Sequence, residues 1–278
     1  MSGKTTDPDS GCLAINGPPE VRRPGLLSAA GFTLAYVLFA LGCVAALVAA
    51  AWLRWFERDP GKRVARLRST VSMLCRWYLE YHSALGLISV EYTDQRRLGP
   101  GLIVANHPSL VDALWVLATQ PHICCVLKGD LQESWLFRAL VEQLNYVSNR
   151  DPEQLLSEGS RRLRAGETLL VFAEATRTTP QTMPRFRLGA AELVVRSGAA
   201  IHPVVIHKRG SYLSKSRAWH QFPSHRLIWQ IDFAPSIQPA VGGDPRRARR
   251  RITADLQCYF HRCLDAGTVA QRPEPTEN

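Results

Sequence analysis

Leu102-Ile103-Val104-Ala105-Asn106-His107-Pro108-Ser109-Leu110-Val111-Asp112 is the stretch from which the fold is read. Its first four residues form a short apolar run, the pattern of a buried strand. The run breaks at Asn106, and Pro108 suits the first turn of a helix, where its missing N–H would have no partner anyway. Asp112 is therefore expected early in that helix, five residues beyond His107 and able to fold back to the imidazole. A carboxylate that holds one ring nitrogen fixes the tautomer and leaves the other nitrogen to accept a proton from a hydroxyl. Such a pair also arises by chance in many proteins, so its meaning depends on the rest of the chain.

Similar apolar runs recur at Ile123 to Leu127, Leu169 to Ala173, Ile201 to Ile206 and Leu227 to Phe233, and each reads as a strand. Helical stretches fall between them. Asp151-Pro152 supplies an N-cap and a first-turn proline for a helix through Leu155, Leu156, Arg161 and Leu163 that stops at Gly166, and Asp244-Pro245 opens a final helix in the same way. Strands alternating with helices predict an α/β domain with a mixed, partly parallel sheet flanked by helices. In such sheets functional residues gather at strand ends.

Toward the amino terminus the solvent changes. No charged residue occurs from Gly25 to Leu53, a run that would extend about 43 Å as a helix against a hydrocarbon core of about 30 Å. Some twenty polar-leaning residues precede it, unlike a secretory signal peptide. Arg54, Arg58, Lys62, Arg63, Arg66 and Arg68 follow it, and the positive-inside bias then puts the bulk of the protein in the cytoplasm. From Arg54 to about Tyr81, Trp55, Phe56, Trp77 and Tyr78 mix with these basic residues, which suits a helix at a headgroup interface, a helix packed on the domain, or the second arm of a hairpin dipping into one leaflet. The expected organisation is residues 1–24 as a disordered segment, 25–81 as a membrane-associated helical region, 82–265 as the catalytic domain and 266–278 as a disordered tail.

Composition narrows the function. The 278 residues are 46% hydrophobic and carry 34 Lys and Arg against 24 Asp and Glu, a net charge of +10 that favours anionic partners such as phospholipid or nucleic acid. Seven scattered cysteines with no C-x-x-C pair fit neither a disulfide framework nor a zinc ribbon. Cys258, His261 and Cys263 crowd together, but Ile252, Leu256, Tyr259, Phe260 and Cys263 form a helical apolar stripe that explains the cysteines as packing, so no metal site is expected. There is no G-x-S-x-G, which argues against a serine hydrolase of the α/β-hydrolase kind. The run Arg246 to Arg251 reads as a solvated helix face; a nucleic-acid binder relying on it would lack any recognisable nucleic-acid module.

One further strand end carries chemistry: Glu174-Ala175-Thr176-Arg177 follows the Leu169 to Ala173 run, with Arg187 beyond it. Arginines so placed suit a phosphate headgroup, which the guanidinium can bind bidentately. With these residues in view, the chain resembles the 1-acyl-glycerol-3-phosphate acyltransferase (lysophospholipid acyltransferase) family over about Leu98 to Ala240. Four blocks match in order: Asn106 to Asp112 for N-H-x4-D, Tyr146 to Arg150, Phe172 to Arg177 for F-P-E-G-T-R, and Ala200 to Val204 for P-I-x-P-V. The resemblance implies O-acyl transfer from an acyl-carrier-protein or coenzyme A thioester to the hydroxyl of a lysophospholipid, with no cofactor. By the same resemblance His107 is the general base and Asp112 its orienting partner. Glu174, Thr176 and Arg177 position the acceptor, and Arg150, Arg187 and Lys128 are further phosphate-binding candidates. Ala173 and Ala175 depart from the proline and glycine of the third block; a left-handed backbone at position 175 would cost alanine about 1 kcal/mol. That departure leaves two alternatives: a catalytically silent lipid-binding homologue, or transfer to a non-glycerolipid acceptor in a polyene or fatty-acid-type pathway.

Overall fold

The computed structural model describes residues 26–94, 96–129, 135–174, 177, 183–210, 213, 222–223 and 226–269. Its elements run α1 (Leu26–Phe56), α2 (Pro60–Ala84), β1 (Ile88–Thr93), β2 (Gly101–Ala105), α3 (Asp112–Thr119), β3 (Cys124–Leu127), α4 (Trp135–Gln143), β4 (Val147–Ser148), α5 (Pro152–Arg164), β5 (Thr168–Phe172), α6 (Gly189–Ser197), β6 (Ile201–Arg209), β7 (Leu227–Phe233) and α7 (Pro245–Val269). The strands form one sheet in the order β1-β7-β6-β2-β5-β3-β4. Every pair is parallel except β6 with β7. The mixed sheet is as expected; β1 was not anticipated, because Ile88–Thr93 alternates polar with apolar residues rather than forming an apolar run.

Side chains alternate across a strand, so each central strand feeds two cores. Ile103, Ala105, Cys125, Leu170, Val204 and Ile206 face α1, α2 and α3. Leu102, Val104, Cys124, Leu169 and Val205 face α5, α6 and α7. Helix α7 docks through Ile252, Leu256, Phe260 and Cys263 of the stripe read from the sequence, with Tyr259 half-buried beside it; Cys258, expected to pack, is exposed instead, because its place in the helical repeat falls off that face. The helices read from Asp-Pro pairs begin as expected: Asp151 caps α5 by accepting from the Glu153 and Gln154 N–H groups, and Asp244 accepts the Arg246 N–H where α7 starts; Asp59 caps α2 in the same way through Gly61 and Lys62, a start the sequence reading did not pick out. Helix α5 ends at Arg164, and Gly166 just beyond it turns the chain away with a left-handed φ of 82°.

Helices α1 and α2 are continuous with this architecture. Phe32 of α1 and Cys75 of α2 belong to the core under the sheet, and Ala50 and Leu53 pack with Leu67 and Leu144. Arg68 of α2 is buried and ties the helix down through its guanidinium to the carbonyls of Leu144 and Asn145, both at 3.1 Å, and to the Glu167 carboxylate at 3.2 Å. The opposite side of α1 stays apolar and exposed through Leu34, Val37, Leu41, Val44, Val48, Trp52 and Trp55.

Candidate active site

The parallel strands β2, β5, β3 and β4 all end on one edge of the sheet, and the chemistry-bearing blocks follow those ends. Strand β2 delivers Asn106 and His107. Asn106 is buried and clamps β6: its side-chain amide donates to the Ile206 carbonyl at 2.9 Å, and its carbonyl oxygen accepts the Ile206 N–H at 2.8 Å. This fixes the point at which the chain leaves the sheet. The next residue, His107, donates its backbone N–H to the Glu174 carboxylate at 3.0 Å.

The helix after this turn begins at Asp112 itself rather than at Pro108. The reason is local: Asp112 Oδ2 accepts the Ser109 N–H at 2.6 Å, closing a turn that precedes the helix. The same oxygen lies 3.1 Å from His107 Nδ1. Nδ1–H donating to Asp112 leaves the lone pair on Nε2, the nitrogen suited to take a proton. The Asp112 side chain is fully buried, whereas the His107 side chain is 16% exposed. Phe172 stacks on the imidazole with centroids 4.0 Å apart and holds its plane. Asp112 Oδ1, in turn, accepts the Trp229 indole N–H at 3.0 Å.

The remaining predicted residues divide. Glu174 is buried beside His107. Arg177 is half-buried and donates to the Leu213 carbonyl at 2.9 Å; the Leu110 N–H reaches the same oxygen at 3.3 Å, so Arg177 is held next to the His107 turn. Arg187 is exposed, and its N–H donates to the Ala173 carbonyl at the end of β5. Thr176 and Ala175 lie outside the described residues. Arg150 and Lys128 are exposed at the ends of β4 and β3, where Arg150 Nε donates to the Gly129 carbonyl at 3.2 Å. At a strand spacing of about 4.8 Å, β4 stands three strands and about 14 Å from β2. They form an outer cationic group on the same rim, apart from the imidazole. Ala173, where the family pattern has proline, donates its N–H to the Ala105 carbonyl at 3.1 Å, a bond that proline could not make.

Beside the His107 turn a cavity of about 790 Å³ opens between α1, α2, α3 and α4. Leu110 and Val111 of the His107–Asp112 turn line it together with Leu213, whose carbonyl accepts the Leu110 N–H, and Cys75, Cys125 and Tyr146 line it elsewhere. Its wall is almost wholly apolar. Burial pushes the Cys75 thiol up to about 12 and raises that of Cys125 further, so both stay protonated at neutral pH and are poor nucleophiles.

Comparison with known proteins agrees with this geometry. The Acyltransferase family profile matches residues 88–207. A lyso-ornithine lipid O-acyltransferase of Pseudomonas aeruginosa is 30% identical over 174 residues, covering 61% of this chain and 66% of the relative. A 1-acyl-sn-glycerol-3-phosphate acyltransferase of the same organism is 25% identical over 224 residues, covering 76% and 84%. The chain belongs to the lysophospholipid acyltransferase family. In fold, the chain is similar to the crystal structure of the 1-acyl-sn-glycerophosphate acyltransferase PlsC from Thermotoga maritima, with a TM-score of 0.64, 18% identity, and coverage of 85% of this chain and 95% of that one.

Sequence reasoning missed Trp229 and Phe172 as parts of the site. Both sit in apolar strand runs and read as core, and nothing local couples Trp229 to an aspartate 117 residues away.

Proposed function

We propose that this protein is a membrane-associated O-acyltransferase that moves a fatty acyl group from an acyl-carrier-protein or coenzyme A thioester to the free hydroxyl of a lysophospholipid such as 1-acyl-glycerol-3-phosphate. One observation carries the reading: the His107–Asp112 pair at 3.1 Å stands beside an apolar cavity of about 790 Å³, a volume in the range of small-molecule sites. His107 Nε2 takes the hydroxyl proton as the oxygen attacks the thioester carbonyl carbon. The tetrahedral intermediate then expels the thiolate, which takes that proton from the imidazolium, leaving an ester and a free thiol. Asp112 stabilises the imidazolium between the two steps. Arg177, with Arg187 beyond it, is suited to the acceptor phosphate, while Lys128 and Arg150 are suited to anionic groups farther along the rim. Thr176 is assigned to the acceptor by its place in the matching block. The chemistry requires no cofactor.

The acyl chain occupies the cavity, and the exposed apolar stripe of α1 rests in the bilayer. The inner stripe of α1, from Phe32 to Leu53, packs on the rest of the protein, which favours a helix embedded alongside the domain. The basic residues at the α1–α2 elbow suit the cytoplasmic leaflet. A second acceptor, a lyso-ornithine lipid, is favoured by the 30% identity to a relative named for that activity.

The test is a labelled acyl-thioester assay with both donors against a panel of lyso-lipids. His107→Ala, folded by circular dichroism, is expected to lose about 10²- to 10⁴-fold in kcat. Near-normal turnover would remove the proposed base. Transfer to any acceptor by the wild type would exclude a silent homologue, and the preferred acceptor would separate the phosphate from the ornithine reading.

A further inference from the structure

The geometry points to Trp229 as a positioning residue for the reaction, holding the Asp112 carboxylate so that it can orient His107. This inference rests on the general-base reading above. Asp112 is fully buried, and a carboxylate removed from water needs hydrogen-bond donors on both oxygens. Oδ2 has the Ser109 N–H at 2.6 Å and faces His107 Nδ1 at 3.1 Å. Oδ1 is served by Trp229 Nε1–H at 3.0 Å. The indole is thus the donor that stops the carboxylate from rotating about its last bond and turning Oδ2 away from the imidazole.

The indole is itself fixed. Trp229 is wholly buried in β7, and Trp115 of α3 packs edge-on against it with centroids 5.9 Å apart. Lys208 is its register partner on β6, and the Lys208 ammonium lies over the indole 5.1 Å from the ring centroid. A cation over the ring face both pins the ring and draws electron density from the N–H, making it a better donor to a carboxylate. The antiparallel pairing of β6 with β7 therefore extends the site past the segment that matches the family profile, which ends at residue 207. Trp229 touches no reacting atom; it acts through Asp112.

Two analogues separate the hydrogen bond from the shape of the ring. Benzothienylalanine at position 229 keeps the bicyclic outline and replaces N–H by sulfur, whereas 5-fluorotryptophan keeps the N–H. Each full-length variant is assayed with palmitoyl thioesters of coenzyme A and of acyl carrier protein and with 1-acyl-glycerol-3-phosphate. The benzothienyl variant is expected to lose about 10- to 100-fold in kcat, as for a lost hydrogen bond to a buried charge, with KM for the acceptor within about twofold. The fluorinated variant should retain wild-type kcat. Wild-type kcat in the benzothienyl variant, or an equal loss in both, would overturn the assignment. His107→Ala is run alongside: if it is inactive while the benzothienyl variant is normal, only the role of Trp229 is lost, and if it turns over normally the general-base reading itself has failed.

Discussion

Cys124 and Cys125 are neighbours in β3, yet their side chains enter two different kinds of interior. Cys124 is sealed beneath α5 with the Arg162 guanidinium 3.4 Å from its sulfur, whereas Cys125 lines the cavity beneath α1 to α4. On the first face α5, α6 and α7 each present an apolar stripe, and the stripes fill the space above the sheet together with the buried Arg162 of α5, whose charge is met by Glu158 and the Asn145 carbonyl. On the second face α1 carries apolar side chains on every side, and the helices stand far enough apart to leave room for a chain-shaped ligand. One face of the sheet is filled by packing, and the other holds the cavity. Because strand side chains alternate, a single strand serves both.

The largest effect that would test this division concerns the place where the two faces meet. Arg68 from α2 and Arg162 from α5 both donate to the Asn145 carbonyl, at 3.1 and 2.7 Å. Arg68→Ala should destabilise the protein by about 2–4 kcal/mol, because the Leu144 carbonyl loses its donor, the Asn145 carbonyl and Glu167 are left to Arg162 alone, and the packing of the buried side chain is lost. Thermal unfolding in detergent checks this; an unchanged midpoint would mean that α2 is not an integral wall of the cavity face.

The paired cysteines give the next comparison. Cys124→Phe should cost about 1–3 kcal/mol by overpacking a filled interior. Cys125→Phe should cost less, since the cavity accepts the ring, and should move the acyl preference toward shorter chains. Equal losses of stability in the two variants, with no change in chain preference for Cys125→Phe, would erase the contrast between the faces. The smallest expected effect is on the packed face, where Asp151→Ala removes the α5 cap and should cost about 1 kcal/mol with kcat unchanged. Urea unfolding and the acyl-transfer assay measure the two halves of that statement.

Much of this was legible locally. The apolar runs located five of the seven strands, and the Asp-Pro pairs located the starts of α5 and α7, because a strand's burial and a helix's cap are written within a few residues. Strand β4 is two residues long and was visible only through the block ending at Arg150. Strand β1 escaped because it is an edge strand, with Glu91 exposed and its neighbours half-buried. In the site, His107 and Asp112 were legible because five residues join them. Arg150 and Lys128 could be named but not placed: their distance from His107 follows from the strand order, in which β5 and β3 stand between β2 and β4.

By itself the sequence determined the alternation of strands and helices, the apolar amino-terminal helix and the histidine–aspartate spacing. These depend on periodicity, capping and charge within short windows. Tertiary structure alone decided that Trp229 reaches Asp112, that Arg68 locks α2 to the Asn145 turn, and that a cavity opens on the α1–α4 face of the sheet. Each of these joins groups distant in the chain, and packing in three dimensions, not spacing along the chain, determines which of them meet.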